Sequence, residues 1–221
     1  MLHDALLIAG KDLRLEGRSR VTTNLVAPFA FMVLLLFAFA LDDSSTLRAA
    51  TPGLFWVTVL FAAQLAIQRA FAVESADGIR DGLRLSGLDP AGVFLGKAGA
   101  IVVQLLALEL LLALGVGVLY DTALGAPMPL VATTVVATLG VAAAGSLYGV
   151  LAAGLRIGAT LLPLLLLPVV APVLIAATQA FIAAAGDDPG AAWRWFGLLA
   201  VFALMYITFG LFAFESLLEE S

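Results

Sequence analysis

The chain has 221 residues and a formal net charge of −5; 62% of its residues are apolar and 12% are charged. A soluble domain is about half apolar and about a quarter charged, so this chain lacks the polar side chains that a soluble surface requires. The composition excludes an ordinary soluble domain and a disordered chain, and the absence of cysteine excludes disulfides and thiolate metal sites. It indicates a polytopic membrane protein.

The first 20 residues have the pattern of an amphipathic helix. Leu2, Leu6, Ala9 and Leu13 recur at helical spacing on one face, and polar residues occupy much of the remainder. The pattern predicts a helix over residues 1–20 that lies at the membrane interface. The alternative is that this segment is only a positively charged N-terminus that sets the topology.

Six apolar stretches are long enough to be membrane-spanning helices, which need about 20 residues each. Their uniformly apolar character favours helices over the alternating strands of a membrane barrel. The predicted fold is therefore all-α with six transmembrane helices, and residues 1–221 form a single domain because nothing outside the spans could build its own core. The predicted spans are 25–41 (extended backward through 21–24), 54–73, 98–120, 130–155, 159–185 and 196–214.

A short cytoplasmic helix is predicted between the second and third spans, over residues 77–86. Asp77 is a suitable N-cap, and Ser86-Gly87 ends the helix. Asp89-Pro90 then begins the next helix, with an acid as N-cap and proline at the first helical position.

The two faces of the 77–86 helix differ in chemistry. One face is apolar, with Ile79 and Leu83, and the other carries Arg80, Asp81 and Arg84. Two interpretations remain open from the residues alone. The helix lies passively on the lipid headgroups, or it docks into a groove of a cytoplasmic partner and passes that partner's motion to the spans.

The basic residues predict the orientation. With the N-terminus in the cytoplasm, only Arg48 and Arg194 of the 11 Lys and Arg residues lie outside. Such a bias is typical of cytoplasmic segments, and with six spans both termini are then cytoplasmic. The remaining basic residues, all inside, are Lys11, Arg14, Arg18, Arg20, Arg69, Arg80, Arg84, Lys97 and Arg156.

No catalytic motif is present in the sequence. Neither Gly10-Lys11 nor Gly96-Lys97 completes a Walker A motif, and there is no G-x-S-x-G or H-E-x-x-H pattern. The lone histidine, His3, cannot form a multi-histidine metal or haem site. The chain is therefore predicted not to be an enzyme, to hold no metal and to have no nucleic-acid partner.

Three polar residues inside the spans are candidate functional residues. Glu109 lies near the middle of the third span, five residues after Gln104, and Arg69 lies near the end of the second span. An acid inside a membrane is costly and therefore often functional, whereas a carboxyl that is hydrogen-bonded to a neighbouring helix would be structural. The sequence leaves both interpretations of Glu109 open.

Two further features concern helix packing and helix shape. Small residues at Gly145-x-x-x-Gly149 and Gly154-x-x-x-Gly158 predict close helix packing. Prolines in the fifth span predict a kink or local unwinding, which is tolerated only against protein or a cavity. They are Pro163, Pro168 and Pro172.

Several segments form a recognisable series along the chain. They are Lys11-Asp-Leu-Arg14-Leu-Glu16, Thr51-Pro-Gly-Leu-Phe-Trp-Val57, Gln68-Arg69-Ala-Phe71, Asp77-Gly78, Leu83, Phe94-Leu-Gly-Lys97, Gly154-Leu-Arg156-Ile-Gly158 and Leu167-Pro-Val-Val-Ala-Pro172-Val-Leu-Ile175. Taken in order, these segments resemble the haem exporter protein B (CcmB) family. Length and layout agree, so the resemblance covers nearly the whole chain. Two positions depart from the family pattern: Gln68 replaces an acid, and Ser86-Gly87-Leu88 replaces a proline-containing turn.

The resemblance implies an ABC-2-like permease subunit of the cytochrome c maturation system in the bacterial inner membrane. The implied partners are a cytoplasmic ABC ATPase that binds ATP (CcmA-like), a haem-handling membrane subunit (CcmC-like), a small single-span subunit (CcmD-like) and a periplasmic haem chaperone (CcmE-like), besides membrane lipids. ATP hydrolysis would drive haem export or release of the loaded chaperone, and this chain is expected to bind no cofactor itself.

By the same resemblance, the 77–86 helix becomes the coupling helix that docks on the ATPase. Ile79 and Leu83 would enter a groove of the ATPase, and polar residues would rim it. The residues implied in this interface are Asp77, Gly78, Ile79, Arg80, Asp81, Leu83 and Arg84.

Three other functions are compatible with the sequence. An ABC-2-type exporter permease would carry another cargo, such as a lipid, a drug or a polysaccharide. A non-transporting scaffold would still support cytochrome c maturation when the ATPase is inactive. A proton-coupled carrier built around Glu109 would need no ATPase and would be abolished by Glu109→Gln.

Overall fold

The computed structural model describes residues 1–19, 24, 26–41, 43–72, 87–120, 126–153, 158–186 and 189–220. Within these ranges the structure contains seven α-helices and no strand, which confirms the all-α prediction for this part of the chain. The helices are α1 (Leu2–Ser19), α2 (Ala27–Ala40), α3 (Ser44–Ala72), α4 (Pro90–Leu119), α5 (Pro127–Ala153), α6 (Gly158–Ala185) and α7 (Pro189–Glu220).

In the part of the chain that the structure describes, five helices, α3 to α7, are long and apolar enough to cross a membrane. They coincide with the second to sixth predicted spans, so the chain is a multi-pass membrane protein. The first predicted span coincides with α2, which has 14 residues. That length corresponds to about 21 Å, less than the ~30 Å of a hydrocarbon core.

Helix α3 begins at Ser44 rather than near residue 54, where the apolar pattern placed its start. Asp43 is the reason. Its carboxylate accepts hydrogen bonds from the backbone N–H groups of Ser45 and Thr46, at 3.3 and 3.0 Å, and from both hydroxyl groups, at 2.5 and 2.7 Å. An acid that satisfies the free N–H groups of a first turn starts a helix there, and α3 then continues through Pro52.

Helix α4 begins as the sequence predicts, with Asp89 as N-cap and Pro90 as the first helical residue. The Asp89 carboxylate accepts a hydrogen bond from the Ala91 N–H at 3.0 Å. Gly87 has a φ of +67°, a left-handed value that glycine adopts without strain. The predicted coupling helix that would precede this turn, residues 77–86, lies outside the described residues.

Helix α5 is the centre of the bundle and contacts α3, α4, α6 and α7. Glycines make this possible: an added Cβ at Gly145 would lie 2.2 Å from Ile67 Cδ1, and one at Gly149 would lie 2.4 Å from the ring of Phe71. The predicted close packing at Gly145-x-x-x-Gly149 is therefore confirmed. Gly154, from the second predicted pair, lies outside the described residues.

Helix α6 is continuous α-helix through all three of its prolines, so the backbone is not unwound there. Pro168 and Pro172 are exposed on the outside of the bundle and Pro163 is half-buried, whereas Leu166 and Val170 of the same helix are buried. Pro168 and Pro172 therefore lie on the face of α6 that points away from the core.

Contacts between helix termini define two ends of the bundle. The last residues of α3 lie beside the start of α4, where Lys97 contacts Ala70, and the end of α7 reaches the same place, where Phe214 stacks on Phe94. We call this the 73–86 end, because residues 73–86 join α3 to α4 there.

The opposite end contains the start of α3, the end of α4, the start of α5 and the end of α6. Phe55 of α3 stacks on Phe181 of α6, with ring centroids 5.4 Å apart. The Ala126 N–H, just before α5, donates a hydrogen bond to the Ala184 carbonyl of α6 at 3.0 Å. The Tyr120 hydroxyl, just after α4, donates one to the Leu34 carbonyl of α2 at 2.9 Å.

Helix α1 packs on the start of α4 through Ala5 and Ile8, which are buried. Leu2 and Leu6, from the apolar face that the sequence predicted, are 73% and 74% exposed. The helix itself is therefore present, and its predicted apolar face is exposed at Leu2 and Leu6 but half-buried at Ala9 and Leu13.

Candidate functional site

Glu109 is held between α4 and α5 by one hydroxyl group. Its side chain is 2% exposed, and the Thr138 Oγ1 lies 2.7 and 2.9 Å from the two carboxyl oxygens. A threonine hydroxyl carries a single hydrogen, so it donates to one of the two oxygens at a time. A buried carboxyl requires such a partner, and this one links two transmembrane helices.

Glu109 also lines a cavity of about 320 Å³ in the half of the bundle away from the 73–86 end. The volume lies at the lower end of the ~300–1,000 Å³ of ligand pockets. On α4 the lining runs from Leu106 to Val116, which corresponds to about 15 Å along the helix axis. The cavity is therefore elongated along the membrane-crossing direction.

The walls of this cavity are mostly apolar. Arg48 and Thr51, from the first turns of α3, lie toward the helix ends, and Glu109 lies deeper. Phe55 and Phe181 form an aromatic wall that is backed by Trp56, whose ring centroid lies 5.6 and 5.3 Å from theirs. The arrangement suits an elongated apolar group with few polar contacts.

The structure does not bring the three polar candidates together. Gln104 and Arg69 are both half-buried, and neither is among the described residues that line the cavity. Arg69 belongs to the last turn of α3 at the 73–86 end, whereas the cavity lies in the other half of the bundle. Glu109 and the cavity therefore form one candidate site, and the 73–86 end forms a separate one.

At the 73–86 end the structure reveals a buried cation that the sequence analysis had treated only as one basic residue among others. Lys97 is 1% exposed. Its Nζ lies 3.6 Å from Asp12 Oδ2 of α1, donates a hydrogen bond to the Ala70 carbonyl of α3 at 3.4 Å, and lies 4.8 Å from the centroid of the Phe71 ring. One side chain of α4 thus contacts two other helices.

The sequence contains a signal for close helix packing at this place, but not for the burial of Lys97 itself. Gly92 and Gly96 have the same small-residue spacing that predicted close packing in α5, and Lys97 directly follows them. The predicted interface with an ATPase, Asp77 to Arg84, belongs to the same end but lies outside the described residues.

Comparison with known proteins identifies similarity over almost the whole chain. The family model described as "CcmB protein" matches residues 3–221. Proteins named "Heme exporter protein B" from several bacteria are similar to the chain. The one from Paracoccus denitrificans is 35% identical, over 84% of this chain and 85% of its own length. Those from Pseudomonas aeruginosa and Haemophilus influenzae are 30% and 29% identical, over 95% and 87% of this chain and 94% and 86% of their own lengths.

Proposed function

The chain belongs to the CcmB family, and on that premise we propose that it is the permease subunit of a haem export system that serves cytochrome c maturation. The observation that carries this proposal is the family match over residues 3–221, supported by relatives named as haem exporters that cover most of both chains. The five long apolar helices are the architecture that such a membrane subunit requires.

The energy for transport comes from a separate cytoplasmic ABC ATPase, and the proposed contact with it is the 77–86 helix. Ile79 and Leu83 enter a groove of the ATPase, while Arg80, Asp81 and Arg84 lie at its rim. Two structural features support this assignment. Residues 73–86 join two long spans directly, and the flanking helix ends are firmly packed, so a displacement of this segment reaches the spans.

The proposed topology has six spans, with both termini in the cytoplasm of a bacterium and the chain in its inner membrane. Helix α2 is the first span, lengthened by residues before Ala27. Helix α1 lies along the inner surface of the membrane, with Leu2 and Leu6 in the lipid and Arg14 and Arg18 toward the headgroups.

Haem in this proposal is handled by partner subunits, namely a second membrane subunit, a small single-span subunit and a periplasmic haem chaperone. The chain offers one histidine, His3, in α1, and two methionines within the predicted spans, Met32 and Met205. Both methionines are exposed on the outside of the bundle. ATP binds the ATPase subunit, and this chain carries no cofactor of its own.

The proposal is tested by deleting the gene and restoring it with the wild-type chain, Leu83→Asp or the matched control Leu83→Met. We expect c-type cytochromes to disappear on deletion and to return with the wild type and with Leu83→Met. Leu83→Asp is expected to insert normally but to fail, because a carboxylate replaces the apolar anchor.

A pulldown of each variant from native membranes in mild detergent completes the test. Wild type and Leu83→Met should retain a soluble ATPase, and Leu83→Asp should lose it or retain it without cytochrome maturation. Normal c-type cytochromes after deletion, or a wild-type chain that recovers no ATPase, would contradict the proposed function. If the wild-type chain recovers an ATPase but deletion of the gene leaves c-type cytochromes unchanged, the result would favour a permease for another cargo.

A further inference from the structure

Lys97 is buried where three helices meet, and each of its described contacts comes from a helix other than its own. Asp12 belongs to α1, while Ala70 and Phe71 belong to the last turn of α3. Asp12 Oδ2 is buried and accepts no hydrogen bond within the described part of the chain, so the ammonium of Lys97, 3.6 Å away, compensates its charge.

Helix α1 lies unusually close to α4 beside this ion pair. An added Cβ at Gly96 would lie 2.7 Å from the Ala5 carbonyl oxygen, and one at Gly92 would lie 2.8 Å from the Met1 carbonyl oxygen. A side chain at either position would not fit, so the backbones of the two helices approach closely here. This contact holds α1 beside the start of α4, and the contacts of Lys97 add the end of α3 to it.

The same ion pair lies next to both ends of the segment 73–86. Ala70 and Phe71 lie just before the segment, in α3, and Lys97 lies in the second turn of the helix that follows it. Phe71 also fills the space left by Gly149 of α5. A displacement of the segment therefore acts first on the residues that surround Lys97.

A buried ion pair is weak evidence for stability, because its desolvation cost offsets its attraction. An apolar residue of similar volume often serves stability equally well. What the pair does provide is a defined position, since a buried carboxylate and a buried ammonium each tolerate only an arrangement that brings them together. The burial of this ion pair between helices therefore favours a positional role for Lys97.

We propose that Lys97 is a positioning residue that makes α1 move together with the end of α3 and the start of α4, so that ATP-driven displacement of residues 73–86 also displaces α1. This inference rests on the proposed function, because it requires an ATPase that acts on that segment. The inference adds α1 to the helices that move during the ATPase cycle, and α1 then transmits the displacement along the membrane surface.

The experiment uses the whole complex and measures the distance between α1 and the centre of the bundle. The chain contains no cysteine, so Arg14→Cys on α1 and Leu151→Cys on α5, both exposed, can be spin-labelled without removing native thiols. The distance is measured by pulsed electron resonance without nucleotide and with trapped ATP. We expect the distance to shift by about 2 Å or more in the otherwise unchanged protein, the scale of helix movements at moving interfaces.

Two variants remove the ion pair, and a third variant is a matched control. Lys97→Met keeps an unbranched apolar chain without the charge, and Asp12→Asn keeps the shape of the partner and provides a second test if Lys97→Met fails to fold. The control is Lys11→Met, because Lys11 Nζ also contacts Asp12, at 3.2 Å from Oδ1, but is 40% exposed. We expect the first two variants to keep the ATPase bound, to lose the ATP-dependent shift and to lower cytochrome c yield about five- to 150-fold, the usual range of coupling between sites.

The outcomes separate this inference from the proposed function. An unchanged ATP-dependent shift in Lys97→Met and Asp12→Asn overturns the inference, and so does a wild-type distance that does not respond to ATP while cytochromes mature normally. An equal loss in Lys11→Met also overturns it, because a general charge effect would then be responsible. Failure of the wild-type chain to recover any ATPase overturns the proposed function, and the inference with it.

Discussion

Glu109 has the contacts that a structural link between two helices requires. The carboxyl of α4 is buried and bonded to the Thr138 hydroxyl of α5, which is the arrangement expected of a link between two helices. Hydrogen bonds of this kind between membrane helices contribute about 0.5–2 kcal/mol. The cavity beside Glu109 could hold an apolar group. The hydrogen bond to Thr138 explains the presence of a carboxyl group at this position without any ligand in the cavity.

Glu109→Gln is expected to retain cytochrome c maturation, because a glutamine amide can still accept the Thr138 hydrogen bond. Thr138→Val is expected to lower stability by about 0.5–2 kcal/mol, because valine has the same shape but no hydroxyl. Thermal unfolding in detergent and cytochrome yield in cells measure the two effects. A Glu109→Gln protein that is normally folded but inactive would support a proton-coupled carrier instead.

Among single residues, the sequence identified Glu109 but could not place Lys97. An acid in an apolar run is visible in the sequence because its cost depends on the local environment of one helix. The burial of Lys97 depends on α1, which lies far earlier in the sequence, and on the last turn of α3. Contacts between distant segments are tertiary information, and residue types alone do not contain them.

At the scale of one helix, the start of α3 depends on a cap rather than on hydropathy. The apolar run begins well after Ser44, so a hydropathy pattern cannot detect the first turns, whereas the Asp43 carboxylate fixes them by four hydrogen bonds. The start of α4 was predicted correctly because Asp89-Pro90 is a recognisable cap in the sequence itself. The start of a helix was thus predictable where its N-cap residue was taken into account, as at Asp89, and was missed where only hydropathy was used, as at Asp43.

The cap at Asp43 predicts a pH dependence. Hydrogen bonds from Ser45 and Thr46 hold the pKa of the Asp43 carboxyl below its ordinary value of 3.8. Because the pKa is lower in the folded state than in the unfolded state, the ionised carboxylate stabilises the folded protein above pH 3.8. This contribution is lost as the pH falls through the lowered pKa. Asp43→Asn retains a cap without titration, so the difference in melting temperature between it and the wild type should be present at pH 7 and shrink below pH 3.8. A difference that does not change with pH would contradict this role of Asp43.

Two glycines of α4 provide a matched test of how α1 is held. An added Cβ at Gly96 would lie 2.7 Å from both the Ala5 carbonyl oxygen and Ile8 Cβ, whereas one at Gly99 would meet nothing within 4 Å. We expect Gly96→Ala to separate α1 from α4 and to lower the melting temperature. Gly99→Ala should be neutral or stabilising, by up to about 1 kcal/mol, because alanine favours a helix more than glycine does. Protection of α1 in hydrogen exchange compares the two variants, and equal protection would contradict the docking of α1 through Gly96.

At the scale of the whole molecule, the distribution of charge agrees with the helix ends that the contacts define. Lys11, Arg14 and Lys97 lie at the 73–86 end, whereas Arg48 and Arg194 belong to the opposite end, at the starts of α3 and α7. Since basic residues are retained on the cytoplasmic side, this distribution supports the proposed orientation, in which the 73–86 end faces the cytoplasm and the proposed ATPase. The count of six spans depends on α2, whose 14 residues need the preceding chain to complete a crossing.

The absence of native cysteine makes this topology directly measurable. Single cysteines can be placed at three exposed positions: Arg14→Cys in α1, Ser216→Cys near the end of α7, and Gly186→Cys between α6 and α7. In intact cells with a permeable outer membrane, a maleimide that cannot cross the inner membrane should label only Gly186→Cys. After the inner membrane is disrupted, the other two cysteines should also be labelled, because Phe214 places the end of α7 beside the start of α4, at the end that the proposed topology assigns to the cytoplasm. Labelling of Arg14→Cys and Ser216→Cys on opposite sides would mean an odd number of crossings, so that α2 does not span the membrane.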